Sequence, residues 1–145
     1  MPVKAKGFGA ANALPPSQGA AGVGVSVRGL GHSYGELTAI ELLDLELPPH
    51  GVLGLVGPSG CGKSTLLELI AGLREPARGG VALGDGASAS ARLARCAFMP
   101  QRDLLLPWLS AIDNAALALR NRGVRRAPAR RQAGELFERF GLSGF

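Results

Sequence analysis

Nine consecutive residues hold most of the chemistry in this chain: Gly57-Pro58-Ser59-Gly60-Cys61-Gly62-Lys63-Ser64-Thr65. Their spacing, G-x-x-x-x-G-K-[ST], is that of a loop that wraps a phosphate. Glycine has no Cβ to hold a phosphate off the backbone, so several N–H groups can turn inward together. A helix starting at the end of the loop would add the positive end of its dipole. Lys63 can reach the β- and γ-phosphates of a nucleotide, and the Ser64 hydroxyl can ligate Mg2+. Cys61 reads as a small residue in a tight loop.

Such a loop must lie between a buried strand and a helix. Gly51 to Val56 is a short apolar run entered through Pro48-Pro49. It predicts a central strand covered on both faces. Leu66, Leu67, Ile70 and Leu73 recur at helical spacing and predict one buried face of a helix, ended by Gly72 and Pro76. In a chain with 22 glycines the motif alone can arise by chance, so these flanks carry the assignment.

The rest of the chain divides near Gln101. Upstream, Val23, Val25 and Val27 alternate, and Leu43, Leu45 and Leu47 alternate with Asp44 and Glu46, which predicts two strands with one wet face each. Gly31 to Glu36 reads as a turn between them and carries Tyr34, the single tyrosine. Gly79 to Gly86 predicts a strand and a tight turn, and Cys96 to Met99 a short apolar strand closed by Pro100 and Gln101. Downstream, Ser110 with Asp113 resembles a helix-capping box. Ile112, Ala115, Ala116 and Leu119 form one apolar stripe, with Arg120, Arg122 and Gly123 suited to its C-terminal end. A second helix is predicted from Pro128 through Ala133, Leu136, Phe137 and Phe140 to Gly141.

A chain of 145 residues, 46% hydrophobic, is long enough for one real core. Residues 1–24, rich in Gly, Ala and Pro, read as a disordered leader without the apolar segment of a secretory signal. No stretch reaches membrane-spanning length, so the chain is expected to be soluble and cytoplasmic. Two cysteines make no disulfide framework. The net charge of +5 is concentrated in Arg120, Arg122, Arg125, Arg126, Arg130 and Arg131. The cluster reads as a solvated helical surface or as a site for an anionic partner. No aromatics interleave to stack bases, which favours the first reading and gives no nucleic-acid partner. His32 and His50 have no evident partner and read as surface residues.

Taken in order, these landmarks resemble the ATP-binding subunit of ABC transporters. Tyr34 stands upstream of the loop where that family places an aromatic that stacks on adenine. GPSGCGKSTLLELIAGL reads like the family's loop and helix throughout. Phe98-Met99-Pro100-Gln101 matches the Q-loop, whose glutamine closes the ATPase core. Leu105-Leu106-Pro107-Trp108 followed by Asp113-Asn114 resembles the branch that serves importers of nitrate, sulfonates, taurine and thiamine precursors. The resemblance implies an α/β phosphate-loop ATPase fold with an N-terminal antiparallel β region and the start of a helical subdomain. Residues 25–101 would form part of the core, and residues 102–145 the Q-loop and part of the helical subdomain. ATP and Mg2+ are the implied cofactors, with Tyr34 and Gly57 to Thr65 on the nucleotide and Ser64 and Gln101 at the metal. Implied partners are a second ATP-binding subunit, a membrane permease against the Leu104–Ser110 region, and indirectly an extracytoplasmic solute-binding protein. The subunit would sit on the inner face of the plasma membrane.

The family's aspartate at the end of a second buried strand, the glutamate after it, the LSGGQ signature and the switch histidine have no match in these residues. Val81-Ala82-Leu83-Gly84-Asp85 lacks the following glutamate and fits a β-turn, and Leu142-Ser143-Gly144 comes before the place of the signature. The chain is therefore expected to be the N-terminal part of such an ATPase, able to bind ATP without hydrolysing it alone. A non-catalytic regulatory module stays open as an alternative, and so, more remotely, does a phosphate-loop kinase with the arginine run as its lid.

Overall fold

The computed structural model describes residues 22–144. Most of the expected leader, residues 1–21, lies outside the described residues. By contacts the chain separates into two units, one ending at Met99 and the other starting at Pro100.

The first unit is built on an antiparallel sheet of β1 (Val25–Tyr34), β2 (Leu37–Leu47) and β3 (Arg78–Leu83), in the order β2-β1-β3. β1 is longer than its alternation suggests and runs through the predicted turn to Tyr34, leaving only Gly35 and Glu36 to reverse the chain. Irregularities between Val27 and Ser33 let it pair beyond its alternating segment. At the first of them Gly29 is left-handed (φ 56°), and its N–H donates to Asp44 Oδ1 at 2.7 Å. The core joins Val27 and Leu30 of β1, Leu43 and Leu45 of β2, and Val81 of β3 to helix α1 (Lys63–Ala71) through Leu66 and Leu69. Leu69 is fully buried; burying a leucine contributes about 1.5–3 kcal/mol.

Helix α1 starts and ends where expected, on two left-handed glycines. Gly62 (φ 92°) precedes it, and Gly72 (φ 81°) closes it with its N–H directed at Glu68 and Leu69 oxygens. Its buried face differs from the predicted one. Leu69 takes the place assigned to Leu67 and Leu73, which are exposed, because only Leu66, Leu69 and Ile70 reach the sheet cluster.

Gly51 to Val56 has no regular secondary structure and forms no ladder with any described residue. Leu53 and Leu55 pack on the core, whereas Val52 and Val56 are exposed, so one face is covered rather than two. Cys96 to Met99 is likewise not a strand; it too has no ladder partner, and Met99 is exposed. Between β3 and that segment lies an unpredicted helix, α2 (Ala89–Arg95), capped by Ser88, whose Oγ accepts from Ala91 N–H at 3.3 Å. Its one buried residue is Arg92, which donates to the Val81 and Ala87 carbonyls and pairs with Glu75. It therefore carries no apolar stripe for periodicity to detect.

The second unit holds α3 (Ala111–Ala115), α4 (Leu117–Asn121) and α5 (Arg126–Arg139). The single predicted helix after Ser110 is broken at Ala116, and α5 begins at Arg126, ahead of Pro128. Ala116, Ala129 and Ala133 form its small core with Ile112, Leu119 and Val124 against them. Ala115, Leu136 and Phe140, expected on the buried stripes, are exposed, because contacts this close are made through alanines. Gly123 (φ 86°) and Gly141 (φ 67°) follow α4 and α5 as left-handed stops.

Candidate functional site: the phosphate loop and its flanks

The loop from Gly57 to Gly62 turns directly into α1. Gly60 and Gly62 adopt φ of 79° and 92°, a region that side-chain-bearing residues rarely enter. Gly62 is also pressed against the sheet: a Cβ there would meet the Ala39 carbonyl at 2.8 Å. A Cβ on Gly57 would meet Cys61 Sγ at the same distance. At Gly62 the obstacle is backbone and cannot move aside, whereas at Gly57 the Cys61 side chain would have to shift.

No side chain caps α1, and its first turn holds no acidic residue. Among the described residues, the N–H groups of Gly62, Lys63, Ser64 and Thr65 have no acceptor. Unpaired donors at a helix start, together with the dipole, attract an anion. Lys63 folds over the loop, and its Nζ donates to the Gly57 carbonyl at 2.8 Å and the Pro58 carbonyl at 2.6 Å, with Cys61 Sγ at 3.4 Å. A mobile ammonium is thus held within the cradle. These are the donors a polyphosphate needs, and the residues present fit it. The Ser64 hydroxyl is exposed on the first turn of the same helix. Among the described residues no group of three His, Cys, Asp or Glu is placed to hold a metal by itself. A cation would therefore depend on Ser64 and on ligand oxygens. Beside the loop lies a cavity of about 180 Å³ lined by Ile40, Leu43, Leu55 and Leu66 among others. Gly57, Pro58, Cys61, Gly62 and Lys63 of the loop line it as well, so the cavity joins the cradle to the apolar side of β2.

Tyr34, at the end of β1, is brought to the same helix. Its hydroxyl lies 3.3 Å from Thr65 Oγ1, and the residue is 41% exposed. His32 meets that ring edge-on, with centroids 5.0 Å apart, and the Arg74 guanidinium lies over it at 5.2 Å. Arg74 in turn pairs with Glu68 of α1. His32 is consequently half-buried and engaged, not the surface residue expected from sequence. His50 is exposed, as expected of a surface residue, but it has a partner: its Nε2 accepts from the Gly22 N–H at 3.1 Å, and its backbone is left-handed (φ 62°). Neither Arg74 nor Glu68 was signalled by any motif. Their meeting with Tyr34 depends on the chain after Gly72 passing back beside β1.

The second unit contains Gln101, exposed in a bend at its start. The loop after it is held by Asn114. The Asn114 Oδ1 accepts from the Leu106 N–H at 2.8 Å, and its Nδ2 lies 3.1 Å from the Leu106, 3.2 Å from the Leu109 and 3.2 Å from the Ser110 carbonyls. Next to it, Asp113 is buried and accepts from Ser110 Oγ, Arg126 and Arg130 at 2.9–3.3 Å. The Arg126 guanidinium is the main cause holding the Asp113 carboxyl below the usual carboxylate range; burial opposes it, and Ser110 and Arg130 add to it. All six arginines of the cluster are exposed, as a solvated surface requires, and two of them, Arg126 and Arg130, also hold this buried carboxylate. The clamped loop carries Leu104, Leu105 and Trp108 outward, exposed by 75%, 62% and 75%.

A glycine cradle opening an uncapped helix beside an antiparallel sheet defines a phosphate-loop nucleotide-binding protein. The chain belongs to the ABC transporter family, whose model matches residues 40–145. It is 38% identical over 122 residues to an aliphatic sulfonates import ATP-binding protein of Rhodococcus jostii, covering 84% of this chain and 46% of that one. To a second such protein, from Pseudomonas aeruginosa, it is 44% identical over 110 residues, covering 75% and 39%. To a taurine import ATP-binding protein of Burkholderia thailandensis it is 40% identical over 111 residues, covering 77% and 42%. The chain thus spans less than half the length of each of these relatives. In fold it is similar to an ATP-binding cassette solved as a dimer with ADP and Pi: TM-score 0.63, 24% identity, covering 79% of this chain and 56% of that one. Among the described residues, no helix is long and apolar enough to cross a membrane.

Proposed function

We propose that this chain binds Mg-ATP as part of the ATP-binding subunit of an importer of nitrate, sulfonate, taurine or similar small solutes. The observation that supports this most is the uncapped start of α1, with four backbone N–H groups and Lys63 Nζ gathered on one glycine cradle. Gly57 to Thr65 would hold the phosphates, with Lys63 exchanging its loop carbonyls for phosphate oxygens and Ser64 ligating Mg2+. Tyr34 would stack on the adenine, where an exposed π face tolerates small errors of geometry. When bound, Mg-ATP supplies the energy-rich phosphoanhydride; these residues bind and orient it. Gln101 would sense the metal or the attacking water at the boundary between the core, residues 25–101, and the helical subdomain, residues 102–145.

The Leu104–Ser110 loop would meet a membrane permease, and a second ATP-binding subunit would complete the assembly at the cytoplasmic face of the membrane. The identities to sulfonate and taurine import proteins, near 40%, support that branch. No residue here is assigned to activating water, so the chain alone is proposed to bind without turnover.

Calorimetric titration with Mg-ATP tests the reading. Lys63→Ala should weaken binding at least ten-fold, the effect of losing a charge-assisted contact of about 1.5–3 kcal/mol. Equal affinities for the two proteins would remove the phosphate role. Lys63-dependent ATP turnover by the pure chain would overturn the binding-only part.

A further inference from the structure

We propose that Arg74 is a positioning residue for the nucleotide base: held by Glu68, it backs one face of the Tyr34 ring and leaves the opposite face open as a platform. This rests on the nucleotide-binding reading above and adds a residue that no motif contains. Tyr34 is restrained on three sides. The Arg74 guanidinium lies over the ring at 5.2 Å, His32 meets its edge, and its hydroxyl touches Thr65. Tyr34 is nevertheless 41% exposed, and with Arg74 over one face the base would take the other.

Two of these three restraints trace to one helix, while His32 belongs to β1. Thr65, in the first turn of α1, meets the hydroxyl, and Glu68, further along α1, pairs with the arginine. The same α1 opens on the phosphate cradle. Base platform and phosphate donors are therefore set by one rigid body, at a separation fixed before any ligand arrives. Ordering an exposed aromatic only at the moment of binding lowers affinity, and pre-ordering it restores that loss. A guanidinium suits the backing role because it lies flat on an aromatic face while keeping its ion pair.

The test titrates the 145-residue chain with Mg-ATP and, separately, with Mg-tripolyphosphate, which has the phosphates without the base. Arg74→Ala should weaken Mg-ATP about three-fold, as an exposed cation–π contact would, and leave tripolyphosphate unchanged. Glu68→Gln should act in the same direction but less. Arg74→Lys, which keeps the charge without the planar fork, should fall between wild type and alanine, and it carries the test if Arg74→Ala does not fold. In a Tyr34→Ala background, Arg74→Ala should add nothing. Equal losses on both ligands would reduce Arg74 to a general attractor of anions and overturn the proposal. Tighter Mg-ATP binding by Arg74→Ala would also overturn it, since the guanidinium would then cover the face the base needs. If Tyr34→Ala leaves the ratio of the two affinities unchanged, the base-platform reading itself fails. If Tyr34→Ala lowers the ratio and the Arg74 variants do not, only this inference fails.

Discussion

The phosphate loop and the Leu104–Ser110 loop are both irregular segments with a defined shape, and they hold it by opposite means. In the first, shape resides in the backbone: Gly60 and Gly62 take left-handed conformations, and Gly62 lies against the Ala39 carbonyl. In the second, shape is imposed by a side chain, since Asn114 reaches back to Leu106, Leu109 and Ser110. The consequences differ accordingly. A loop shaped by glycines leaves its N–H groups unspent, and those donors face a small anion. A loop clamped through its own polar groups spends them internally, and what it shows to the outside is apolar: Leu104, Leu105 and Trp108. The first presents donors that suit a charged ligand, and the second presents exposed hydrocarbon.

If backbone geometry shapes the first loop, its two left-handed glycines should not be equivalent. Gly62→Ala combines a left-handed alanine with a Cβ 2.8 Å from a sheet carbonyl that cannot yield easily. It should destabilise the first unit by roughly 3 kcal/mol, of which about 1–2 is the left-handed backbone. At Gly60 a Cβ would meet nothing within 4 Å, so Gly60→Ala should show the backbone part alone. Urea unfolding of both variants checks this, and equal midpoints would mean that the contact with Ala39 does not shape the loop.

The same contrast explains what could be read from sequence. The phosphate loop, α1 and its stop at Gly72 were legible because each is written locally, in glycines, a lysine and leucine spacing. Tyr34 was identified as a residue but placed in a turn, because bulges that lengthen a strand leave no alternation to follow. The runs at 51–56 and 96–99 have strand composition, yet a strand also needs a neighbour, and composition does not supply one. Helix α2 was missed because its buried residue is Arg92, which reaches carbonyls of β3 and the turn after it. The Ser110 cap was legible as a four-residue pattern, Ser110 to Asp113, whereas the hold of Asn114 on Leu106 has no sequence signature.

For the second loop the side chain should matter and the backbone should not. Asn114→Ala leaves the Leu106 N–H unpaired in a partly buried position and removes a donor from the Leu106 carbonyl, which keeps only the Leu109 N–H at 3.0 Å. That should cost the second unit about 2 kcal/mol. Protease should then cleave between Leu104 and Leu109 much faster, with the first unit unchanged. Asn114→Asp keeps an acceptor for the Leu106 N–H but loses the donors, so it should fall between the two. Unchanged cleavage in Asn114→Ala would show that Pro107 and the helix start hold the loop without the clamp.

The smallest effect should come from the charge beneath that clamp, and it distinguishes the units by pH. Asp113 in the second unit and Asp85 in the first are both held below the usual carboxylate range, mainly by hydrogen bonds from Arg126 and Arg95 respectively. A carboxyl with a lowered folded-state pKa stabilises the fold above its unfolded value, near 4, and the contribution is lost as pH falls through the lower folded value. Asp113 is buried, but its partners Arg126 and Arg130 are 62% and 43% exposed, so solvent and salt screen much of the attraction. Asp85 is itself 85% exposed and should contribute less still. Between pH 7 and pH 5 neither unit should change. Below pH 4 the helical signal of the second unit should weaken in wild type more than in Asp113→Asn, whereas Asp85→Asn should track wild type throughout. The Asp113 difference should shrink at high salt but persist, because Ser110 Oγ also donates to this carboxyl and a neutral donor is not screened as an arginine is. If salt abolished it, the arginines would account for the whole effect, and the buried aspartate would behave like an ordinary surface charge.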